Sequence, residues 1–162
     1  MLVCMKRIIC LLLLVSILVN SIDIVYADEG TTEWYELQIV EQDTYFEPVY
    51  LNNNARSRYI SAIITRIADL GDGEVAMRAD VQCYEDMLNI TTIYYLQKVI
   101  DGMWETVGSI TVSTDYTYST SKTVLATGVT PGTYRAKTST KVIHPSGQFE
   151  LANGYSGAID IE

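Results

Sequence analysis

From Tyr59 to the end of the chain, hydrophobic and polar positions alternate in short runs and do not recur with a helical period. The clearest run is residues 74–83. Its apolar positions are Val75, Met77, Ala79, Val81 and Cys83, and the positions between them are Ala76, Arg78, Asp80 and Gln82. A period of two is typical of a half-buried β-strand. The pattern therefore predicts an all-β domain.

Turn residues separate seven runs of this kind, at 59–68, 74–83, 90–99, 103–112, 118–126, 133–143 and 155–161. The dipeptide Asp101-Gly102 is a strong hairpin signal, so it predicts that 90–99 pairs with 103–112. Both faces of 90–99 are apolar, which predicts a central strand. Seven strands at this spacing predict an antiparallel two-sheet sandwich of the immunoglobulin-like kind, and a small closed β-barrel is the alternative.

One local motif favours the sandwich. Residues 132–136, Gly-Thr-Tyr-Arg-Ala, resemble a tyrosine corner, in which a tyrosine at the start of a strand bonds back to the preceding backbone. Tyr134 would be that tyrosine. The motif bears on the fold and carries no information about function.

The N-terminus has the features of a cleavable export signal. Lys6 and Arg7 precede an apolar stretch at 8–19, which is shorter than the roughly 20 residues that a helix needs to span a bilayer. A cut after Ala27 fits the small residues before it. We therefore predict a signal peptide at 1–27, an acidic N-terminal arm at 28–58 and a β-sandwich domain at 59–162.

The composition of the chain that remains after signal cleavage limits the classes of protein it can belong to. Cys83 is then the only cysteine, so no internal disulfide can form, and secretion without disulfides, which is common in Gram-positive bacteria, favours a bacterial source. Of the 11 basic and 20 acidic residues, Lys6, Arg7 and Asp23 leave with the signal, so the net charge becomes −10. An acidic domain lacks the basic footprint of nucleic-acid binders, and no membrane span is predicted after the signal. The expected location is secreted or attached to the cell surface.

The order of several short motifs resembles a family of small exported Gram-positive proteins of unknown function. After the signal peptide and the acidic arm come Arg58-Tyr59-Ile60-Ser61, the strand with Cys83, Leu96-Gln97-Lys98 followed by Gly102 and Trp104, and Gly132-Thr133-Tyr134-Arg135. The resemblance implies a single secreted β domain. It supplies no catalytic residues.

The residues offer little catalytic chemistry. Cys83 and His144 could form a thiol dyad, but Cys83 lies on an apolar strand face, which favours a buried thiol. The Gly-x-Ser-x-Gly elbow of serine hydrolases is absent from the sequence. We predict that the protein is not an enzyme. We also predict that it holds no cofactor. The acidic turn residues Asp69, Asp72 and Glu74 could hold calcium, although solvated turn carboxylates are the commoner case.

Aromatic and basic residues give the more suggestive pattern. Arg135, Lys137 and Lys141 fall on the outward positions of the strand that begins at Tyr134. Exposed aromatic rings serve as platforms for sugars or peptides. The candidate binding surface therefore comprises Trp34, Trp104, Tyr116, Tyr118, Arg135, Lys137 and Lys141.

These features predict a secreted, non-enzymatic binding or interaction module at or outside the bacterial cell surface. Its partner would be a protein or a cell-wall polysaccharide, since the basic residues suit an anionic surface. Two alternatives stay open: a small secreted hydrolase and a self-associating structural component.

Overall fold

A computed structural model describes residues 33–41, 45–46 and 57–162. In these ranges the backbone forms six strands: β1 (Leu37–Val40), β2 (Ile60–Gly71), β3 (Glu74–Ile100), β4 (Met103–Ala126), β5 (Gly132–Ile143) and β6 (Phe149–Ile161). Every strand pairing is antiparallel, so the all-β prediction is confirmed. Nowhere in the described ranges is there a helix with the length and apolar character needed to cross a membrane. The predicted signal peptide and much of the predicted arm lie outside the described residues.

The long strands β3 and β4 run through both layers of the fold. The first half of β3 pairs with β2 and with the last half of β4, whereas its second half pairs with the first half of β4 and with β5. Between Gln82 and Met87 the register with β4 shifts, and the residues of β3 outnumber those opposite. A bulge of this kind bends a strand. The sheet therefore folds over into a sandwich with layers β1–β4–β3–β2 and β4–β3–β5–β6.

The bend also explains why six strands replace the seven predicted runs. The runs at 74–83 and 90–99 are the two halves of β3, and those at 103–112 and 118–126 are parts of β4. A short strand that was not predicted, β1, pairs with the end of β4. The last strand begins at Phe149, earlier than the predicted 155. The two-layer sandwich is as predicted, and its immunoglobulin-like character stays a prediction.

Two tight turns set the register of the hairpins. Asp101 and Gly102 have φ of 52° and 78°, and β3 pairs with β4 directly on either side of them. Positive φ at both central residues is the signature of a type I′ hairpin turn, as the dipeptide predicts. Asp72 and Gly73, with φ of 52° and 71°, make the corresponding turn between β2 and β3.

The core lies between the two layers. The apolar positions predicted for the first half of β3 are all buried, namely Val75, Met77, Ala79, Val81 and Cys83. Tyr94 and Leu96, from its second half, are buried in the same cluster as Val75 and Met77. Because both halves of one strand contribute to a shared core, the layers face each other. This packing buries the large apolar side chains that stabilise the fold.

A tyrosine corner forms where the sequence predicts it. The Tyr134 hydroxyl donates a hydrogen bond to the carbonyl of Thr130, with Oη and O 2.8 Å apart. The ring is fully buried in the core. The bond satisfies a polar group that burial would otherwise leave unpaired, so it fixes the loop before β5.

The segment that leads into β1 is fixed by a hydrogen-bonded cluster. The Tyr35 amide donates to the Val107 carbonyl at 2.7 Å, and the Tyr35 hydroxyl donates to the Glu33 carboxylate at 2.6 Å. Thr130 Oγ1 donates to the same carboxylate at 2.7 Å. These hydrogen bonds, first the one from Tyr35, lower the pKa of Glu33 to about 2. This part of the predicted arm is therefore packed onto the sandwich.

Candidate functional site

The outward side of the second layer carries the predicted basic residues. Along β5, alternate residues point into the core and are fully buried: Tyr134, Ala136, Thr138, Thr140 and Val142. The alternation places Arg135, Lys137 and Lys141 on the opposite side of the sheet. The neighbouring strands β3, β4 and β6 add aromatic and polar side chains to this side.

Arg135 is held in place by three neighbours. Its guanidinium carbon lies 4.3 Å from the centroid of the Trp104 ring and 5.0 Å from that of the Tyr155 ring. Its Nε donates to Gln97 Oε1 at 2.9 Å, and Gln97 is itself buried. A guanidinium over aromatic faces is attracted by the ring quadrupoles, by about 0.5–1 kcal/mol at exposed sites. The arrangement fixes the plane of the guanidinium.

The two lysines also lie over aromatic rings. Lys137 Nζ is 5.4 Å from the centroid of Tyr95 and 6.0 Å from that of Tyr155. Lys141 Nζ is 5.1 Å from the centroid of Phe149. We call this surface the cationic face and define it by Tyr95, Gln97, Trp104, Arg135, Lys137, Lys141, Phe149 and Tyr155.

The charges on the cationic face lack acidic partners among the described residues. Elsewhere Arg66 and Arg78 bind Asp80, and Lys98 binds Glu33. No carboxylate of the described residues forms an ion pair with Arg135, Lys137 or Lys141. In a chain of net charge −9, the face therefore offers positive charge to an external anion.

The structure brings together four of the seven predicted binding residues: Trp104, Arg135, Lys137 and Lys141. Trp34, which is exposed, lies before the start of β1. Tyr116 and Tyr118 are exposed at the bend of β4, where Tyr116 has a φ of 51°. In the described part of the chain, no ring or hydrogen-bond contact joins these three to the cationic face.

Four residues of the cationic face were not predicted: Tyr95, Gln97, Phe149 and Tyr155. Tyr155 stands directly opposite Lys137 across the β5–β6 pair, and Tyr95 stands opposite it on β3. The signal that could have found Phe149 is the sequence Phe149-Glu150-Leu151, whose alternation places Phe149 and Leu151 on one side of a strand; both are exposed in the structure.

A concave region, separate from the cationic face, lies at the turn between β5 and β6. Two adjoining clefts, of about 480 and 460 Å³, share Arg58, Tyr59 and Gln148 as lining residues. The ring of His144 stacks on that of Tyr59 with 5.0 Å between centroids, and the Tyr59 hydroxyl donates to Gln148 Oε1 at 2.6 Å. These contacts build a rigid rim for the clefts.

The histidine in this region has a serine and a carboxylate beside it. His144 Nδ1 is 2.7 Å from Ser146 Oγ, and Nε2 is 3.3 Å from Glu85 Oε1. The backbone amide of Ser146 also donates to Nδ1, at 3.1 Å. Both the amide and the hydroxyl of Ser146 therefore lie on the Nδ1 side of the ring, and these contacts order the turn.

Cys83 lies in the second core cluster with Ile60, Met87 and Val142. Burial, and to a smaller extent the nearby charge of Glu150, raises the pKa of the thiol to about 11. A thiol of this kind is a poor nucleophile at physiological pH because little of it is ionised.

Alkylation of Cys83 tests this environment. At pH 9 a thiol of pKa about 11 is about 1 % ionised, whereas an unfolded cysteine, with a pKa of about 8.5, is about three-quarters ionised. We expect Cys83 to resist iodoacetamide at pH 9 in the folded chain and to react rapidly in 8 M urea, as followed by mass spectrometry of the peptide that contains it, since the chain also carries Cys4 and Cys10. Rapid labelling of the folded chain would contradict the buried thiol and revive the thiol-enzyme alternative.

The predicted calcium loop is a tight turn. Asp69 Oδ1 accepts a hydrogen bond from the Gly71 amide at 2.9 Å, so this carboxylate caps the turn. Among the described residues no three His, Cys, Asp or Glu side chains converge as a metal-binding group, and Asp69, Asp72 and Glu74 are no exception. The prediction of no cofactor, with calcium at this turn as its alternative, stays untested.

Comparison with known proteins assigns the chain to no family. No protein-family model matches it, and no curated protein matches it either. The candidate function therefore rests on the geometry of the cationic face and of the clefts.

Proposed function

We propose that the chain is an exported, non-enzymatic binding module that acts at or outside the bacterial cell surface, and that the cationic face is its binding surface. The observation that carries the proposal is the set Arg135, Lys137 and Lys141, which stack on aromatic rings and form no ion pair with a described residue. Cations fixed in this way lose less side-chain entropy when a ligand binds. An anionic ligand would meet an ordered row of charges.

The remaining candidate residues support binding over catalysis. The Cys83 thiol is buried with a raised pKa, and the lone pair of His144 Nδ1 accepts the Ser146 amide. General acid or base catalysis needs a group free to exchange a proton with the substrate. The cationic face instead offers fixed charges and ring faces, which suit recognition.

Retention on isolated Gram-positive cell walls tests the proposal. The purified chain is mixed with the walls and centrifuged, and the pelleted fraction gives an apparent affinity. Exposed charge contacts contribute about 0.2–1 kcal/mol each, so a variant with Arg135→Gln, Lys137→Gln and Lys141→Gln should bind about 3–150-fold more weakly.

A matched pair of single variants controls for loss of charge alone. Lys141→Gln removes an exposed lysine of the cationic face, and Lys122→Gln removes an exposed lysine of the other layer. We expect weaker retention for the first and unchanged retention for the second, with equal thermal melts. No retention of the wild-type chain, or an equal effect of the two variants, would refute the binding role of this face.

A further inference from the structure

We infer that the ligand of the cationic face is a linear acidic polysaccharide that lies along β5, with one of its carboxylates bound by Arg135. The inference rests on the proposed function, because it assigns a ligand class to the same surface. Its basis is the fixed orientation of Arg135 together with the spread of charge and exposed rings along the strand.

Arg135 is oriented to bind a carboxylate with its two outer nitrogens. The Nε is used by Gln97, and Trp104 and Tyr155 hold the plane of the guanidinium. In the described residues no acceptor is bound to the Nη atoms, which leaves a forked pair of donors for a ligand. A forked guanidinium matches the geometry of a carboxylate, and pre-organisation lowers the entropy lost on binding.

The charges extend too far for a small anion. Arg135 and Lys141 are six residues apart on one strand, so their Cα atoms are about 20 Å apart at about 3.3 Å per residue. Lys137 lies between them on the same side. None of these three side chains lines the clefts around Tyr59 or the cleft beside Arg66. The geometry suits a polymer that meets the cations one after another.

The rings and polar groups beside the cations favour sugars. Phe149 and Tyr155 are 61 % and 53 % exposed, and Asn153 lies between them on the same side of β6. Ser139 stands opposite Asn153 on β5. Aromatic faces beside amide and hydroxyl groups can stack on sugar rings and bond their hydroxyls.

An acidic polypeptide is less well matched to this surface. An extended peptide that binds a sheet by strand addition hydrogen-bonds its backbone to an open sheet edge. The backbone of β5 already pairs with β3 on one side and with β6 on the other, so only side chains face the ligand. A glycan needs no backbone partner, whereas the amides of a peptide would be left without one.

Calorimetric titration with defined oligomers tests the ligand class. The probes are a hexamer and a dimer of galacturonic acid, a neutral galactose hexamer, poly-glutamate and inorganic polyphosphate. We expect the acidic hexamer to bind at least about tenfold more tightly than the dimer, because only the hexamer can contact all three cations. We expect weaker binding of poly-glutamate and of polyphosphate, because neither has a sugar ring to stack on Phe149 and Tyr155, and none of the neutral hexamer.

Two variants test the role of Arg135. Arg135→Lys keeps the charge and loses the fork, and Gln97→Leu keeps Arg135 and removes its Nε partner. Each should weaken binding of the acidic hexamer by about 3–10-fold, whereas Lys122→Gln, on the other layer, should leave it unchanged. Near-UV circular dichroism checks that each variant keeps the packing of its aromatic rings.

The outcomes separate this inference from the proposed function. If the chain binds walls through the cationic face but prefers poly-glutamate or polyphosphate to the acidic hexamer, or binds none of the probes, the polysaccharide is refuted and the binding role stands. If Arg135→Lys binds as the wild type does, the oriented fork is refuted. If the chain binds neither walls nor any probe, the proposed function falls as well.

Discussion

Replacing Gly154 by alanine is expected to lower the free energy of unfolding by about 2 kcal/mol, within the range of about 1–3 kcal/mol typical of overpacked cores. An alanine Cβ there would overlap Thr65 Oγ1 and would lie 2.8 Å from Thr138 Oγ1 and 3.0 Å from Ile63 Cγ2. The two threonine hydroxyls form a buried hydrogen bond of 2.6 Å between β2 and β5. The added methyl group must break that bond or push β6 away from β2.

The same strand offers a matched control. A Cβ at Gly157 would meet no atom within 4 Å, so Gly157→Ala should change stability by less than about 0.5 kcal/mol or raise it slightly through the unfolded state. Urea unfolding followed by tryptophan fluorescence compares the variants. Equal midpoints for Gly154→Ala and Gly157→Ala would mean that β2 does not pack against β6 at this position.

Asp80→Asn is expected to lower the free energy of unfolding at pH 7 by about 2 kcal/mol. Its carboxylate accepts a hydrogen bond from Arg66 Nη2 at 2.6 Å, one from Arg78 Nε at 2.9 Å and another from Ser121 Oγ. Breaking a fully buried pair costs about 3–5 kcal/mol. We expect less here because the arginine side chains remain 17–19 % exposed. Asp86→Asn, at an exposed position of β3, is the control.

The same carboxylate makes stability depend on pH. Partial burial alone would raise the pKa of Asp80, but the hydrogen bonds from Ser121, Arg78 and Arg66 outweigh it and lower the pKa. A lowered folded pKa stabilises the fold above the unfolded value, about 3.9, and this stabilisation is lost as the pH falls through the folded pKa. Between pH 6 and pH 3 the wild type should lose more stability than Asp80→Asn. An equal loss in both chains would contradict the network.

Local patterns in the sequence were enough to predict much of the fold. The alternation at 74–83, the Asp101-Gly102 turn and the tyrosine corner at Tyr134 each depend on residues close together in the chain, and each is found in the structure. The bends of β3 and β4 were not predictable in the same way. A strand that continues through a bulge has no turn residue to mark it, so two runs in the sequence looked like two strands.

The cationic face likewise has features that local sequence patterns predict and features that only the whole fold determines. The outward positions of Arg135, Lys137 and Lys141 come from the alternation along one strand, which the sequence displays. The contacts of Arg135 with Gln97 and Tyr155 depend instead on the pairing of β5 with β3 and with β6. Cross-strand register between segments far apart in sequence is set by the whole fold. Single-sequence patterns therefore located the charges and missed the groups that hold them.

The most direct test of the cationic face as the binding surface is an NMR titration of the ¹⁵N-labelled chain with soluble Gram-positive cell-wall fragments. Chemical shift changes should concentrate in β5, in β6 from Phe149 to Tyr155 and at Gln97 and Trp104, and they should shrink as salt is added. Changes confined to the clefts around Tyr59 and His144, or to the β1–β4–β3–β2 layer, would contradict this assignment of the binding surface.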